Sequence, residues 1–192
     1  MMSIVLIVGL GNPGAEYAQT RHNAGFWFVE QLAKSYNISL KNDNKFNAYI
    51  GRGNIEGHDV RLLLPQTFMN RSGQSVAPFC KFYQINPSSL LIAHDELDMN
   101  AGIIRLKTGG GHGGHNGLRD IVPHIGADFH RLRIGIGHPG HKDKVSGHVL
   151  GKAPSAEQKL IDDAIDFATT KIKLLVDGQI NQAMNQINAY KP

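Results

Sequence analysis

Five consecutive aliphatic residues near the start of the chain, Ile4 to Val8, leave little freedom about what surrounds them. They carry no polar alternation, so they suit a strand covered on both faces in the centre of an α/β sheet. Gly9, Gly11 and Gly14 then relax the backbone, and Pro13 stops the strand from continuing. Asn12, Tyr17, Thr20, Arg21, His22 and Asn23 follow within a dozen residues. Polar side chains gathered at the carboxyl end of a buried strand stand where open α/β sheets bind their ligands, which makes this loop the wall of a candidate active site.

Gly9 to Gly14 also match the G-x-G-x-x-G spacing of dinucleotide-binding folds. That fingerprint needs a helix to begin inside the glycine loop, so that its first N–H groups meet a pyrophosphate. Here Pro13 interrupts the loop, and the next amphipathic run, Asn23 to Tyr36, starts only after more polar residues. No acidic residue closes a second strand where a ribose hydroxyl would need one; Glu30 falls inside the predicted helix. The nucleotide reading is set aside.

A chain of 192 residues can bury one good core, and nothing in it resembles a linker, so one domain spanning 1–192 is expected. The lone Cys80 rules out an internal disulfide and fits a reducing compartment. Ile4 to Val8 is too short for a signal-peptide core, no basic residue precedes it, and no apolar stretch approaches membrane-spanning length. A cytoplasmic chain with no membrane role is the expectation. Net charge is +4, and its distribution is uneven. Between Arg105 and Lys152 eight Lys or Arg face three acids, and seven of the ten histidines lie there too. The remainder is close to neutral, so this one segment is a candidate phosphate-binding face.

Asn47 to Asn54 and Asp59 to Leu64 read as a hairpin joined through Glu56-Gly57-His58. Pro65 to Asn70 forms a second polar loop at a strand end, and either Asn70 or Ser72 could cap the helical run that carries Val76, Phe79 and Cys80. Asn86-Pro87 ends that helix. Leu90 to Ala93 is a third buried strand, and it discharges into His94-Asp95-Glu96-Leu97-Asp98. Ile103 to Lys107 is a further strand, followed by the glycine-rich stretch Thr108 to Gly117, which has almost no intrinsic shape and must be ordered by packing or by a ligand. Phe129 to Gly137 alternates apolar with basic, which predicts Arg131 and Arg133 on one face and Leu132 and Ile134 toward the core. Gly137 to Lys152 reads as a mobile basic loop. Ser155 with Gln158 gives a capping-box pattern for a last helical run through Val176; after Asp177-Gly178 a shorter helix packs back. The expected class is α/β: a mixed, mostly parallel twisted sheet flanked by helices.

Three carboxylates at one strand end suggest chemistry. A metal is one possibility, since His94, Asp95, Glu96, His112 and His115 offer suitable ligands. Against it, H-E-x-x-H is missing, and two histidines spaced by glycines on a flexible loop are a weak signal. No metal and no cofactor are expected.

Read in order, the loop GLGNPGAEYAQTRHNAG (Gly9 to Gly25), then PQTFMNRSG (Pro65 to Gly73), HDELD (His94 to Asp98) and GGGHGGHNG (Gly109 to Gly117) resemble bacterial-type peptidyl-tRNA hydrolase. The resemblance runs from Ile4 to the C-terminal helix, with no departure at a motif position. It implies a monomeric α/β enzyme, without cofactor, metal or obligate protein partner. Such an enzyme hydrolyses the ester between a peptide and the terminal ribose of tRNA and so recycles prematurely released peptidyl-tRNA. It implies His22 as general base and Asp95 as the carboxylate that holds it. Asn12, Asn70 and Asn116 would contact the peptide, the ester or the attacking water, with Tyr17, Phe68, Met69 and His115 as further substrate-binding residues. Lys107 and Arg133 would take tRNA phosphates near the acceptor stem and CCA end.

The chemistry of these residue types agrees. An aminoacyl ester is already an activated acyl group, so a positioned water and a base working near neutral pH suffice without a nucleophilic side chain. Imidazole, ordinarily titrating near ~6.5, suits that base. Asparagine amides offer both donor and acceptor and do not titrate, which fits a site for an amide backbone and an oxyanion. Two other readings compete. A metal-dependent amidohydrolase would use the His and carboxylate cluster, and a non-catalytic RNA-binding module would use the basic segment. The module lacks stacking aromatics, because Phe129 is the one aromatic residue besides histidine between Arg105 and Lys152.

Overall fold

In a computed structural model, which describes residues 2–192, the buried run near the N-terminus forms the middle of a seven-stranded sheet. The strands are β1 (Leu6–Gly9), β2 (Lys41–Asp43), β3 (Ala48–Ile55), β4 (His58–Pro65), β5 (Leu90–Glu96), β6 (Ile104–Thr108) and β7 (His130–Gly135). Side by side they lie in the order β2-β3-β4-β1-β5-β7-β6. The four central strands, β4, β1, β5 and β7, are parallel, while β2, β3 and β6 join the two sides antiparallel. This is the expected mixed sheet with a parallel centre.

Helices cover both faces. They are α1 (Ala24–Ser35), α2 (Gly73–Phe82), α3 (Asn116–Ile125), α4 (Val145–Val149), α5 (Ser155–Thr170), α6 (Ile172–Val176) and α7 (Ile180–Asn188). Ile7 of β1 packs into one core with Phe28, Val29 and Leu32 of α1 and the apolar stripes of α5 to α7. Leu6 and Val8 pack into the other, with Val76 and Phe79 of α2 and Leu118 and Ile121 of α3. Because the two sides of β1 enter two separate cores, its residues show no polar alternation. Among the described residues no helix is long and apolar enough to cross a membrane.

One close approach of backbones brings the polar loop after β1 to the end of β5. A Cβ on Gly25 would lie 2.3 Å from the Ala93 carbonyl oxygen and 2.6 Å from the Leu10 nitrogen, and one on Gly9 would lie 2.3 Å from the Gly25 oxygen. Glycine at both positions lets the start of α1 rest directly on the ends of β1 and β5. The 3-10 turn Arg21–Asn23, which immediately precedes α1, is thereby pressed against the carboxyl end of β5.

Several local expectations need correction. β2 is three polar residues long and offers no pattern to read. Neither Asn70 nor Ser72 caps α2 through its side chain. Instead the Gly73 N–H donates to Oδ2 of Asp120 in α3 at 2.7 Å, and the Ser72 hydroxyl donates to the Met69 carbonyl, so α3 supplies the acceptor at the start of α2 and Asn70 stays available. Ser155 is already inside α5, and Gln158 turns away to donate to Asp162, so no capping box forms. The last helical run breaks at Lys171 into α5 and α6. The basic segment predicted as a mobile loop carries a 3-10 turn, Lys142–Lys144, and α4. It is tied down by Arg21, whose guanidinium donates to the His148 carbonyl at 2.9 Å and whose backbone N–H donates to the Gly151 carbonyl at 3.0 Å.

Candidate active site

At the carboxyl ends of β1, β4 and β5 opens a cavity of about 640 Å³. Its walls come from each of the polar loops seen in the sequence: Asn12, His22, Phe68, Met69, Asn70, Asp95, His115 and Asn116 all line it. Val145, Val149 and Leu150 of the α4 segment add an apolar side.

The centre of the cavity is a buried carboxylate gripped from two directions. Asp95, 3% exposed, sits near the end of β5. Its Oδ2 lies 2.8 Å from His22 Nδ1, and its Oδ1 lies 2.8 Å from His115 Nε2. The two imidazole rings stand 5.2 Å apart. Burial opposes ionisation of Asp95, but the two imidazoles and their hydrogen bonds outweigh it and hold the carboxyl well below its ordinary range. For His22, burial disfavours the cation, yet the charge and hydrogen bond of Asp95 prevail and raise its pKa above the ordinary 6.5.

Tautomers follow from the partners. His115 Nδ1 accepts the backbone N–H groups of Gly117 and Leu118 at 3.1 and 3.4 Å, capping α3, so the ring proton sits on Nε2 and is donated to Asp95. His22 donates from Nδ1 to the same carboxylate, which leaves its Nε2 with a lone pair on the cavity side. His94, whose ring lies 4.9 Å from that of His115, donates from Nδ1 to the Asp95 backbone carbonyl. Full burial and the neighbouring His115 push its pKa down to about 3, so it stays uncharged.

His22, Asp95 and His115 form a trio whose potential metal ligand atoms all lie within 4.8 Å of one another. The donor set suits a cation poorly. The Nε2 of His115 carries its proton because the other nitrogen is already accepting from the backbone, and a metal ligand needs a lone pair there.

The three asparagines are presented differently. Asn12 is buried, and its Oδ1 accepts the Met69 N–H at 2.7 Å. The amide NH2 is therefore the end left over for the cavity. Asn23, which sequence reasoning passed over as a working residue, holds Asn12 in place: its Oδ1 accepts the Asn12 N–H at 2.8 Å and its amide donates back to the Asn12 carbonyl at 3.0 Å. Asn116 is the first residue of α3, with Oδ1 accepting from Arg119 at 3.0 Å. Asn70 is exposed on the rim. Phe68 is 52% exposed there, and Tyr17 stands behind it, edge-on at 6.2 Å, outside the cavity lining.

A second hollow of about 270 Å³ adjoins the first through Glu96 and Gly113. Lys107 and Arg133 both line it, together with the carboxylates Glu96 and Asp98. Arg131 corrects the sequence reading. It does share a sheet face with Arg133, but it is 2% exposed and turned inward to the glycine-rich loop. The α4 segment was also missed as part of the site; Val145, Val149 and Leu150 are its apolar signature, and the surrounding charge and glycine obscured it.

Comparison with known proteins places this geometry. The family model described as peptidyl-tRNA hydrolase matches residues 6–192. The chain is 80% identical over 192 residues to the peptidyl-tRNA hydrolase of Acinetobacter baumannii (strain AYE), covering all of both chains. It is 66% identical over 190 residues to that of Psychrobacter arcticus, covering 99% of this chain and 98% of the relative. A crystal structure of the Acinetobacter baumannii enzyme superposes with a TM-score of 0.99 at 80% identity, over 100% of this chain and 98% of that one.

Proposed function

The chain belongs to the peptidyl-tRNA hydrolase family and is a hydrolase of peptidyl-tRNA, and from that premise we propose that His22 is the general base of the ester cleavage. The observation that carries the proposal is the bond from His22 Nδ1 to a buried Asp95, because it leaves Nε2 as a lone pair in the cavity. Nε2 takes a proton from a water molecule as the water oxygen attacks the ester carbonyl carbon. Negative charge moves to the carbonyl oxygen, and the Asn12 amide, whose oxygen is already committed to Met69, offers it N–H donors. The tetrahedral species then collapses. The bond to the ribose oxygen breaks, the imidazolium returns its proton to that oxygen, and free tRNA leaves with the peptide, whose new carboxylic acid gives up the water's second proton to solvent.

Asp95 fixes the reactive tautomer and stabilises the imidazolium formed in the first step. His115 supports Asp95 from its other oxygen, a positioning role, and its ring also lines the cavity that takes the substrate. Asn70 and Asn116 on the rim, with Phe68, Met69 and the apolar side of α4, receive the peptide. The chain works as a cytoplasmic monomer without a cofactor, taking the acceptor stem across Lys107 and Arg133. One incubation tests the reading. Peptidyl-tRNA should be cleaved in the presence of a chelator while aminoacyl-tRNA with a free amine is not; loss of cleavage on chelation would favour metal chemistry, and binding without cleavage a mere RNA-binding module.

The basic face gives a separate prediction. Lys107→Ala or Arg133→Ala should weaken tRNA binding and reduce the slope of log affinity against log salt by about 1 per residue. Turnover at saturating substrate should change little, since neither side chain lines the main cavity. An unchanged slope would move the phosphate contacts elsewhere on the surface.

A further inference from the structure

The glycine-rich loop before α3 has to hold His115 and Asn116 in place, yet little of its shape is its own. Gly109, Gly110, Gly113 and Gly114 all have positive φ, between 58° and 99°. Its own bonds are few: the Gly109 N–H donates to the Phe129 carbonyl, the Gly114 N–H to His112 Nδ1, and the His115 N–H to the His112 carbonyl. Such a segment is entropically expensive to order, so something must over-determine it.

We infer that Arg131 is the positioning residue that gives this loop its shape and, through it, holds His115 against Asp95 and Asn116 at the cavity. The guanidinium donates from Nη1 to the Gly111 carbonyl, and from Nη2 to the carbonyls of Gly110 at 2.6 Å and Ala127 at 3.1 Å. Gly110 and Gly111 precede α3, and Ala127 follows it. One side chain therefore grips both the entry and the exit of the segment that carries His115 and Asn116. Its cationic carbon stacks 4.5 Å from the centre of the Phe129 ring, which sets the plane of the fork.

The choice of residue supports a positioning role over a packing one. Arg131 is among the largest fully buried side chains, and among the described residues no carboxylate pairs with it. A buried cation whose hydrogen-bond partners are carbonyls alone, with its Nε left unpartnered, is a poor way to stabilise a core, where an apolar side chain of similar volume serves as well or better. What the guanidinium adds is direction: a rigid planar fork can fix adjacent carbonyls at set angles, which an ammonium or a thioether cannot. The loop also reaches the phosphate face, since Lys107 lies across Gly110 so closely that a Cβ there would meet its Nζ at 2.6 Å.

This inference rests on His115 and Asn116 belonging to the reaction site. Its test compares Arg131→Met and Arg131→Lys in the full chain by steady-state kinetics on peptidyl-tRNA and by amide hydrogen exchange. Arg131→Met is expected to lower kcat about a hundredfold with KM changed far less, the size of effect that a displacement of about 1 Å in a supporting group produces. Arg131→Lys should recover part of the loss. The amides of Gly117 and Leu118, which donate to His115, should lose protection while those of β1 and α1 keep theirs. Wild-type kcat in a folded Arg131→Met, or protection lost evenly across the sheet, would overturn the inference. Should Arg131→Met not fold, Arg131→Lys decides alone, and wild-type kcat with unaltered loop exchange in that variant overturns it. The exchange measurement needs no substrate, so full turnover by His22→Ala would remove the proposed base and leave the loop result standing.

Discussion

His22→Ala is expected to lower kcat on peptidyl-tRNA by a factor of about 10² to 10⁴, with KM changed no more than about threefold. The split follows from where the side chain stands. His22 contributes one wall of a cavity whose substrate-facing surface is otherwise made by Asn12, Phe68, Met69, Asn70, Asn116 and the α4 segment, none of which depends on the imidazole for its position. Asp95 keeps His115 as a partner, so the carboxylate stays paired and the loop it steadies stays in place. What disappears is the one lone pair poised to take a proton from water. The pH dependence should change with it. With His22 as the proposed base, activity requires its uncharged form, and since its pKa is raised above the ordinary 6.5, kcat is expected to fall as pH drops through that raised value. The residual rate of His22→Ala should lack this acid limb. Single-turnover measurements across the acid range decide the matter, and a variant keeping a tenth of the parent rate rules His22 out as the base.

The parallel centre of the sheet was legible because β1, β5 and β7 are buried on both faces and read as apolar runs, or as apolar residues alternating with basic ones. The pairing of His22 with Asp95 was not legible from spacing. The two are 73 residues apart, and what joins them is the contact of Gly25 with Ala93 and Leu10, which sequence periodicity does not carry. Family resemblance supplied that pair, and the close approach explains it. Capping failed for a related reason. Asn70 and Ser72 have the right chemistry just before α2, but Asp120 from another helix accepts the Gly73 N–H there, and Ser155 falls one residue too late, as the first helical residue of α5 after Pro154. Arg131 was misread because alternation on a strand tells which face a residue occupies and says nothing of what covers that face. The loop from Thr108 to Gly117 reads as a segment that needs ordering from outside, and the guanidinium that contacts two of its carbonyls belongs to Arg131, the second residue of the next strand.

Asp95→Asn should be at least as damaging as Asp95→Ala, although asparagine is the closer match in size, and the reason lies in His115. Its Nδ1 accepts two backbone N–H groups, which keeps the ring proton on Nε2 and demands an acceptor across from it. An asparagine at this position satisfies that demand only by turning its Oδ1 toward His115. Its NH2 then faces His22 Nδ1, where it donates and drives the His22 proton onto Nε2. The lone pair that should abstract a proton from water is now on the wrong nitrogen, a loss that in a comparable hydrogen-bonded triad costs about 10⁴ in kcat. Alanine makes no such demand and leaves His22 free to sample both tautomers. The acid limb gives a second signature. With the carboxylate gone, only burial remains to act on His22, and burial disfavours the imidazolium. The limb that stands above 6.5 in the parent should therefore move to lower pH in both variants. Activity of Asp95→Asn well above that of Asp95→Ala, or a limb that stays where it was, would mean that the carboxylate neither sets the tautomer nor stabilises the cation.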